Sequence, residues 1–150
     1  MLSIIWLNVF FYGKGLYENE TEAVKWYRKA AEQGLVVAQY SLADCYRNGN
    51  GVNKNEEEAV NLYRKAAEQG NADAQYELSY FYLYGKVVPE NKDKAFNLLK
   101  KAAEQGHNGA KEILKKNFNV TVGQQAAAQS SGCLLPVIGL LAIIMFIMAL

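Results

Sequence analysis

The chain has 150 residues, enough for one domain with a core of its own. Sixteen Lys and Arg against fifteen Asp and Glu leave a net charge of +1, so no basic excess exists to track a phosphate backbone, and nucleic acid is not an expected partner. The two cysteines, Cys45 and Cys133, stand far apart in unlike surroundings and form neither a disulfide framework nor a metal cluster.

The chain starts with an apolar stretch in which Leu2, Trp6 and Phe10 are four residues apart, the spacing of one helix face. The run IIWLNVFF resembles the apolar part of a signal peptide. However, no basic segment precedes it and no A-x-A site follows, and a helix is the favoured reading. A turn, GKGL at 13–16, comes next; its Gly13-Lys14 pair lacks the spacing and the Ser/Thr of a phosphate-binding loop.

From Asn19 the sequence repeats itself. AAEQG occurs at 30–34, 66–70 and 102–106, a spacing of 36 each time, and YRKAAEQG occurs twice. Asn19, Asn55 and Asn91 share one register and read as N-caps. Glu22 and Glu58 follow as in a capping box, where Lys94 departs from the pattern. Apolar stripes then recur as Ala23, Trp26, Tyr27 and Ala30; as Ala59, Leu62, Tyr63 and Ala66; and as Ala95, Leu98, Leu99 and Ala102. Lys and Arg gather toward the C-terminal ends, where cations suit the helix dipole, and Gly34, Gly70 and Gly106 supply left-handed C-caps.

The segments between these B helices form an A series. Ala38, Leu42 and Tyr46 recur as Ala74, Leu78 and Tyr82, and again as Ala110, Leu114 and Phe118. Leu78 and Tyr82 are expected in the core, and Cys45, beside Leu42 and Tyr46, is expected as a buried inert thiol. Turns follow at GNGV, 49–52, and at GKVVPE, 85–90, which loses the second glycine. The order is A-B-A-B-A-B-A, with consecutive helices antiparallel. A single pair cannot bury its apolar face, whereas stacked pairs share a continuous core. Lys111, Lys115 and Lys116 give the last A helix the wetter face of a terminal cap.

The period, the AxxxL(small)xxY pattern with its Gly-x-Gly-Val turn and the WYRKAAEQG ending resemble the Sel1-like repeat family, which is related in form to tetratricopeptide repeats. The resemblance covers residues 2–118. It implies an all-α fold, an α-solenoid of TPR-like helix pairs (repeats about 2–36, 37–72 and 73–108, half-repeat 109–118). Cysteine-rich secreted relatives pair two cysteines within a repeat, and only Cys45 lies in one here, so that subgroup is not indicated. The resemblance also implies that the A helices line a groove that binds protein partners as a scaffold. The A-helix positions off the core register are Tyr40, Asp44 and Arg47, with Tyr76, Tyr80 and Leu83 as counterparts and Asn8 in the first repeat. Tyr and Arg are favoured at binding hot spots, and these six are the expected partner-binding residues.

Composition changes after Phe118. Residues 119–132 are an uncharged linker, and the uncharged run 133–150 would span roughly 27 Å as a helix, close to a hydrocarbon core of about 30 Å. It is read as a C-terminal transmembrane helix that accepts Pro136 and Gly139. Cys133 at its edge is a juxtamembrane thiol of the kind that can be palmitoylated. Asn19-Glu20-Thr21 and Asn119-Val120-Thr121 match the glycosylation pattern and serve as topology reporters. His107, the sole histidine, falls in a loop and is expected to be solvated. No nucleophile–base pair can be nominated, so no enzymatic activity, cofactor, metal or small-molecule substrate is expected. The expected function is a membrane-tethered adaptor or scaffold with its repeats in the cytoplasm. The alternatives are a lumenal or extracytoplasmic binding component translocated by the apolar N-terminus, and a secreted repeat enzyme or peptidoglycan-amine binder, which the missing intra-repeat disulfides and catalytic groups disfavour.

Overall fold

A computed structural model describes residues 20–120 of the chain. The apolar start, the turn at 13–16, Asn8, Asn19, Cys133, residues 121–132 of the linker and the expected membrane segment 133–150 lie outside the described residues. Six helices follow in order: α1 (Glu20–Glu32), α2 (Val36–Asn48), α3 (Glu56–Glu68), α4 (Ala72–Tyr84), α5 (Lys92–Glu104) and α6 (Asn108–Phe118). α1, α3 and α5 are the B helices and α2, α4 and α6 the A helices. Each packs mainly on its neighbours in sequence, as in a solenoid. Among the described residues no helix is long and apolar enough to cross a membrane.

The helix ends follow from local chemistry. Asn55 Oδ1 accepts from the Glu58 N–H at 3.0 Å, and Asn91 Oδ1 from the Lys94 N–H at 2.9 Å. The capping box is only half made, because the backbone N–H of Asn55 donates to the Tyr46 carbonyl at 2.8 Å. The Asn91 N–H likewise donates to the Tyr82 carbonyl at 2.8 Å, so each cap residue is pinned to the end of the preceding A helix. At the other end, Gly70 has φ +92°, its N–H donates to Ala67 O, and the Asn71 N–H donates to Ala66 O. This is the Schellman pair of bonds, and it recurs at Gly34 and Gly106.

The core is divided where a continuous one was expected. One buried cluster runs from Val24 on α1 to Phe81 on α4, and a second joins Leu99, Ala102, Ala103, Ala110 and Leu114 on the last two helices. The division passes through α4 and α5. Leu78 and Leu98 pack on the first cluster, whereas Tyr76 and Leu83 pack on the second. Leu78 is buried as expected, but Tyr82 is only half-buried, with Lys94 Nζ 5.4 Å from its ring centroid. On α1 Val24, Tyr27, Ala30 and Ala31 are buried, while Ala23 and Trp26 of the expected stripe are half-buried. Cys45 is half-buried against the first cluster, and burial pushes its thiol up to about 11, out of the range of a reactive thiolate.

The two Gly-x-Gly-type turns differ in substance. Gly51 has φ +65°, and a Cβ there would stand 2.4 Å from the carbonyl carbon and oxygen of Glu20, so the turn is pressed against the start of α1. In the next turn Val87 occupies the equivalent position at φ +63°, a conformation that a β-branched residue adopts only under strain.

Polar groups inside the stack are tied by a ladder of glutamines. Gln39 and Gln75 are buried, and their Nε2 groups donate to the carbonyls of Ala31 and Ala67 at 3.4 and 3.1 Å. Their Oε1 atoms accept from Gln69 and Gln105 at 2.7 and 2.9 Å. Every buried side-chain polar atom among the described residues has a partner.

Candidate functional site

A cavity of about 420 Å³ opens between the A helices α2 and α4. α4 presents Tyr76, Tyr80 and Tyr84 to it, four residues apart and so on one face. The Tyr76 and Tyr80 rings meet edge to face at 5.2 Å and their hydroxyls are 3.0 Å apart, while Tyr80 and Tyr84 stack at 5.8 Å. Tyr84 is 64% exposed, an unusual state for so large a side chain. Together the three rings form an aromatic rail.

Beside the rail, Arg47 of α2 forms an ion pair with Glu77 of α4, with side-chain exposures of 35% and 17%. Burial dominates the titration of Glu77 and pushes its carboxyl above the usual range, even with the Arg47 guanidinium against it. Glu56 and Lys86 complete the charged lining, so the cavity holds two cations and two carboxylates. Its electrostatics are neutral and its apolar surface is aromatic. Such a surface suits a peptide segment held by area and hydrogen bonds more than by charge.

Of the six residues expected at the groove, the structure gathers three, Arg47, Tyr76 and Tyr80, around this cavity. The other three have different roles. The Tyr40 ring is half-buried, 5.9 Å from the buried Tyr63 ring, and burial raises its hydroxyl. Asp44 accepts a hydrogen bond from the Tyr63 hydroxyl and so serves the inside of the stack. Leu83 packs against the second apolar cluster. Glu77 and Tyr84 were missed. Tyr84 could have been found, since it extends the four-residue spacing of Tyr76 and Tyr80.

His107 is not the solvated loop residue expected. Its Nδ1 accepts from the Ala110 N–H at 3.1 Å, which makes it the N-cap of α6, and its ring stacks on Tyr76 at 4.3 Å. Nε2 lies 3.4 Å from Asp73 Oδ1. Its position is that of Asn71, the cap of α4, so the imidazole repeats an Asn function and also backs one end of the rail. Among the described residues, no group of His, Cys, Asp and Glu is placed to hold a metal ion.

Sel1 repeats match the chain at residues 8–35, 36–71 and 72–107. Among solved structures, a protective antigen of uropathogenic Escherichia coli strains with an SLR fold is similar over 82% of this chain, at 29% identity and TM-score 0.66. A Sel1 repeat protein from Oxalobacter formigenes is similar over 79%, at 37% identity and TM-score 0.65. The Helicobacter pylori cysteine-rich protein B is similar over 72%, at 28% identity and TM-score 0.65. This chain spans 27%, 49% and 84% of those three chains, respectively. No curated protein matches it. Proteins of this fold are typically non-catalytic scaffolds that bind other proteins. With two thirds of its length in matched repeats, the chain belongs to the Sel1 repeat family.

Proposed function

We propose that the chain is a membrane-tethered adaptor that holds a peptide segment of a partner protein in the cavity between α2 and α4, with the repeats in the cytoplasm. The observation that carries the binding site is the tyrosine rail, three exposed or half-exposed rings converging on one cavity beside the Arg47–Glu77 pair. Tethering rests on the sequence alone: residues 133–150 carry no charge and are long enough to approach the thickness of a bilayer core.

The test selects peptides from a random library on the immobilised full-length chain. Selected peptides are expected to lose binding to a Tyr76→Ala, Tyr80→Ala variant and to keep it with Asp44→Asn, while both variants retain wild-type helicity. Equal binding to the rail variant would refute the site. Carbonate extraction followed by protease treatment of sealed vesicles tests the tether. Extraction of the chain by carbonate would refute it.

A second reading places the repeats outside the cytoplasm. It is favoured by the apolar N-terminus and by the similarity to a protein described as a protective antigen. Protection of the repeats from added protease would select it.

A further inference from the structure

A second cleft, of about 390 Å³, lies between the B helices α3 and α5, with α4 behind it. Leu78, Leu98 and the Tyr82 ring give it an apolar wall. Its charged lining is unequal: Arg64, Lys94 and Lys101 stand against the single carboxylate of Glu68. Among the described residues no carboxylate forms an ion pair with any of the three cations. Arg64 Nη1 donates to Asn61 Oδ1 at 3.2 Å on its own helix.

One register earlier, the same positions are Arg28, Glu32, Glu58 and Lys65, two charges of each sign. The difference between the two sets is Lys94 in place of a glutamate, the departure from the capping box. Capping does not require that change, since the Lys94 backbone N–H is satisfied by Asn91 whatever the side chain. Nor does packing require it, because Lys94 is exposed, its Nζ lying over the Tyr82 ring at the cleft.

We infer that this cleft docks an acidic peptide segment of a partner protein, seating one apolar side chain against Leu78 and Leu98 with carboxylates on either side facing Arg64, Lys94 and Lys101. Charge complementarity and a recessed apolar wall together select this occupant. A phosphate backbone or an anionic lipid surface would gain nothing from the apolar wall, and, extending past the cleft, it would meet the exposed carboxylates of Glu57 and Glu104, which do not line it. The cleft is separate from the tyrosine rail, and the inference does not depend on it.

The experiment is fluorescence anisotropy of a labelled Glu-Asp-Leu-Glu-Asp peptide on the full-length chain in neutral detergent. Saturable binding is expected to weaken by about tenfold in Lys94→Glu, to fall with added salt, and to be unchanged in Tyr76→Ala, Tyr80→Ala. Glu58→Lys should add a second site. If Lys94→Glu loses helicity, Lys94→Ala with Lys101→Ala replaces it, with the same expectation. Absence of saturable binding would overturn the inference, as would equal affinity of the Lys94 variant or equal binding of a Lys-Lys-Leu-Lys-Lys peptide. Binding that depends on Lys94 with an oligonucleotide or phosphatidylserine vesicles, but not with the acidic peptide, would also overturn it.

Discussion

Replacing Gln75 by Leu tests the glutamine ladder while leaving the helix and its volume nearly unchanged. Gln75 is 3% exposed; its Nε2 donates to the Ala67 carbonyl and its Oε1 accepts from Gln105. Two typical hydrogen bonds contribute about 1–3 kcal/mol together, and a buried group left without a partner costs a further ~1–3 kcal/mol. Neither partner is left so. The Ala67 carbonyl still accepts from the Gly70 N–H at 3.0 Å, and Gln105 Nε2 still reaches the Lys101 carbonyl at 3.4 Å from an exposed position. Burial of the leucine methyls offsets part of the loss. The expected cost is therefore about 1 kcal/mol, rising to about 2–3 kcal/mol for Gln75→Ala, which also loses packing. Urea denaturation followed by far-ultraviolet circular dichroism measures both. A double-mutant cycle with Gln105→Ala should return a coupling of about 0.5–1.5 kcal/mol. Zero coupling would refute the ladder, and a cost above ~4 kcal/mol for the leucine variant would refute the argument that its partners stay satisfied.

Four further outcomes are expected. Leu78→Ala removes three carbons at ~0.8 kcal/mol each, and because Leu78 borders an open cleft the void is not sealed; a loss of about 2.4 kcal/mol in the same assay is expected, and an unchanged midpoint would refute the register. Val87→Gly relieves a left-handed valine at ~1–2 kcal/mol and adds glycine's unfolded-state entropy of ~0.5–1 kcal/mol, so the thermal midpoint should rise, and a fall would show that Val87 is not strained. Gly51→Ala drives a Cβ into the backbone of Glu20 and should cost more than ~2 kcal/mol, with amide exchange in α1 accelerating most; protection unchanged in α1 would refute the contact. Glu77 has a folded pKa above its ordinary 4.5, so the folded state binds more protons than the unfolded state between those two values. Its contribution to stability thus falls as pH rises through that window. Wild type should gain on Glu77→Gln as pH is lowered toward 4.5, and a flat difference in midpoint would show that burial does not dominate.

Much of the stack was legible because 36-residue recurrence isolates each constraint in several copies. Asn55 and Asn91 could be read as caps and Gly34, Gly70 and Gly106 as left-handed C-caps, since each role depends on local backbone geometry alone. The glutamine ladder was equally periodic, with Gln69 and Gln105 in register and Gln39 and Gln75 in register. It went unread because glutamine between helices usually faces water, and only tertiary packing puts these amides within reach of one another. Tyr40, Asp44 and Leu83 stand outside the cavity lining for a related reason. Helical spacing separates a core face from the rest but does not separate a groove from the flanks that pack on a neighbouring helix, as Tyr40 and Asp44 do on Tyr63 of α3. Glu77 was hidden because its register partner is Ser41, so no recurrence marked it, and its ion pair with Arg47 joins two helices. Val87 was legible as a lost glycine. Its φ of +63°, against +65° at Gly51, shows that the backbone there stayed on the positive side when the residue changed.

The bonds from the Asn55 N–H to Tyr46 and from the Asn91 N–H to Tyr82 close the feet of each long loop at 2.8 Å. Between the first pair of feet, Gly51 is pressed on α1 and Val52 packs on the first cluster, which leaves Asn53 as an exposed tip. A guest segment spliced in at the exposed Asn53 would therefore leave the register of α2 and α3 undisturbed, with a closure entropy growing by only ~0.6 kcal/mol per doubling of loop length. The chain thus offers a ready-made insertion port for an epitope tag or a fluorescent reporter, one clasp away from the cavity it would report on.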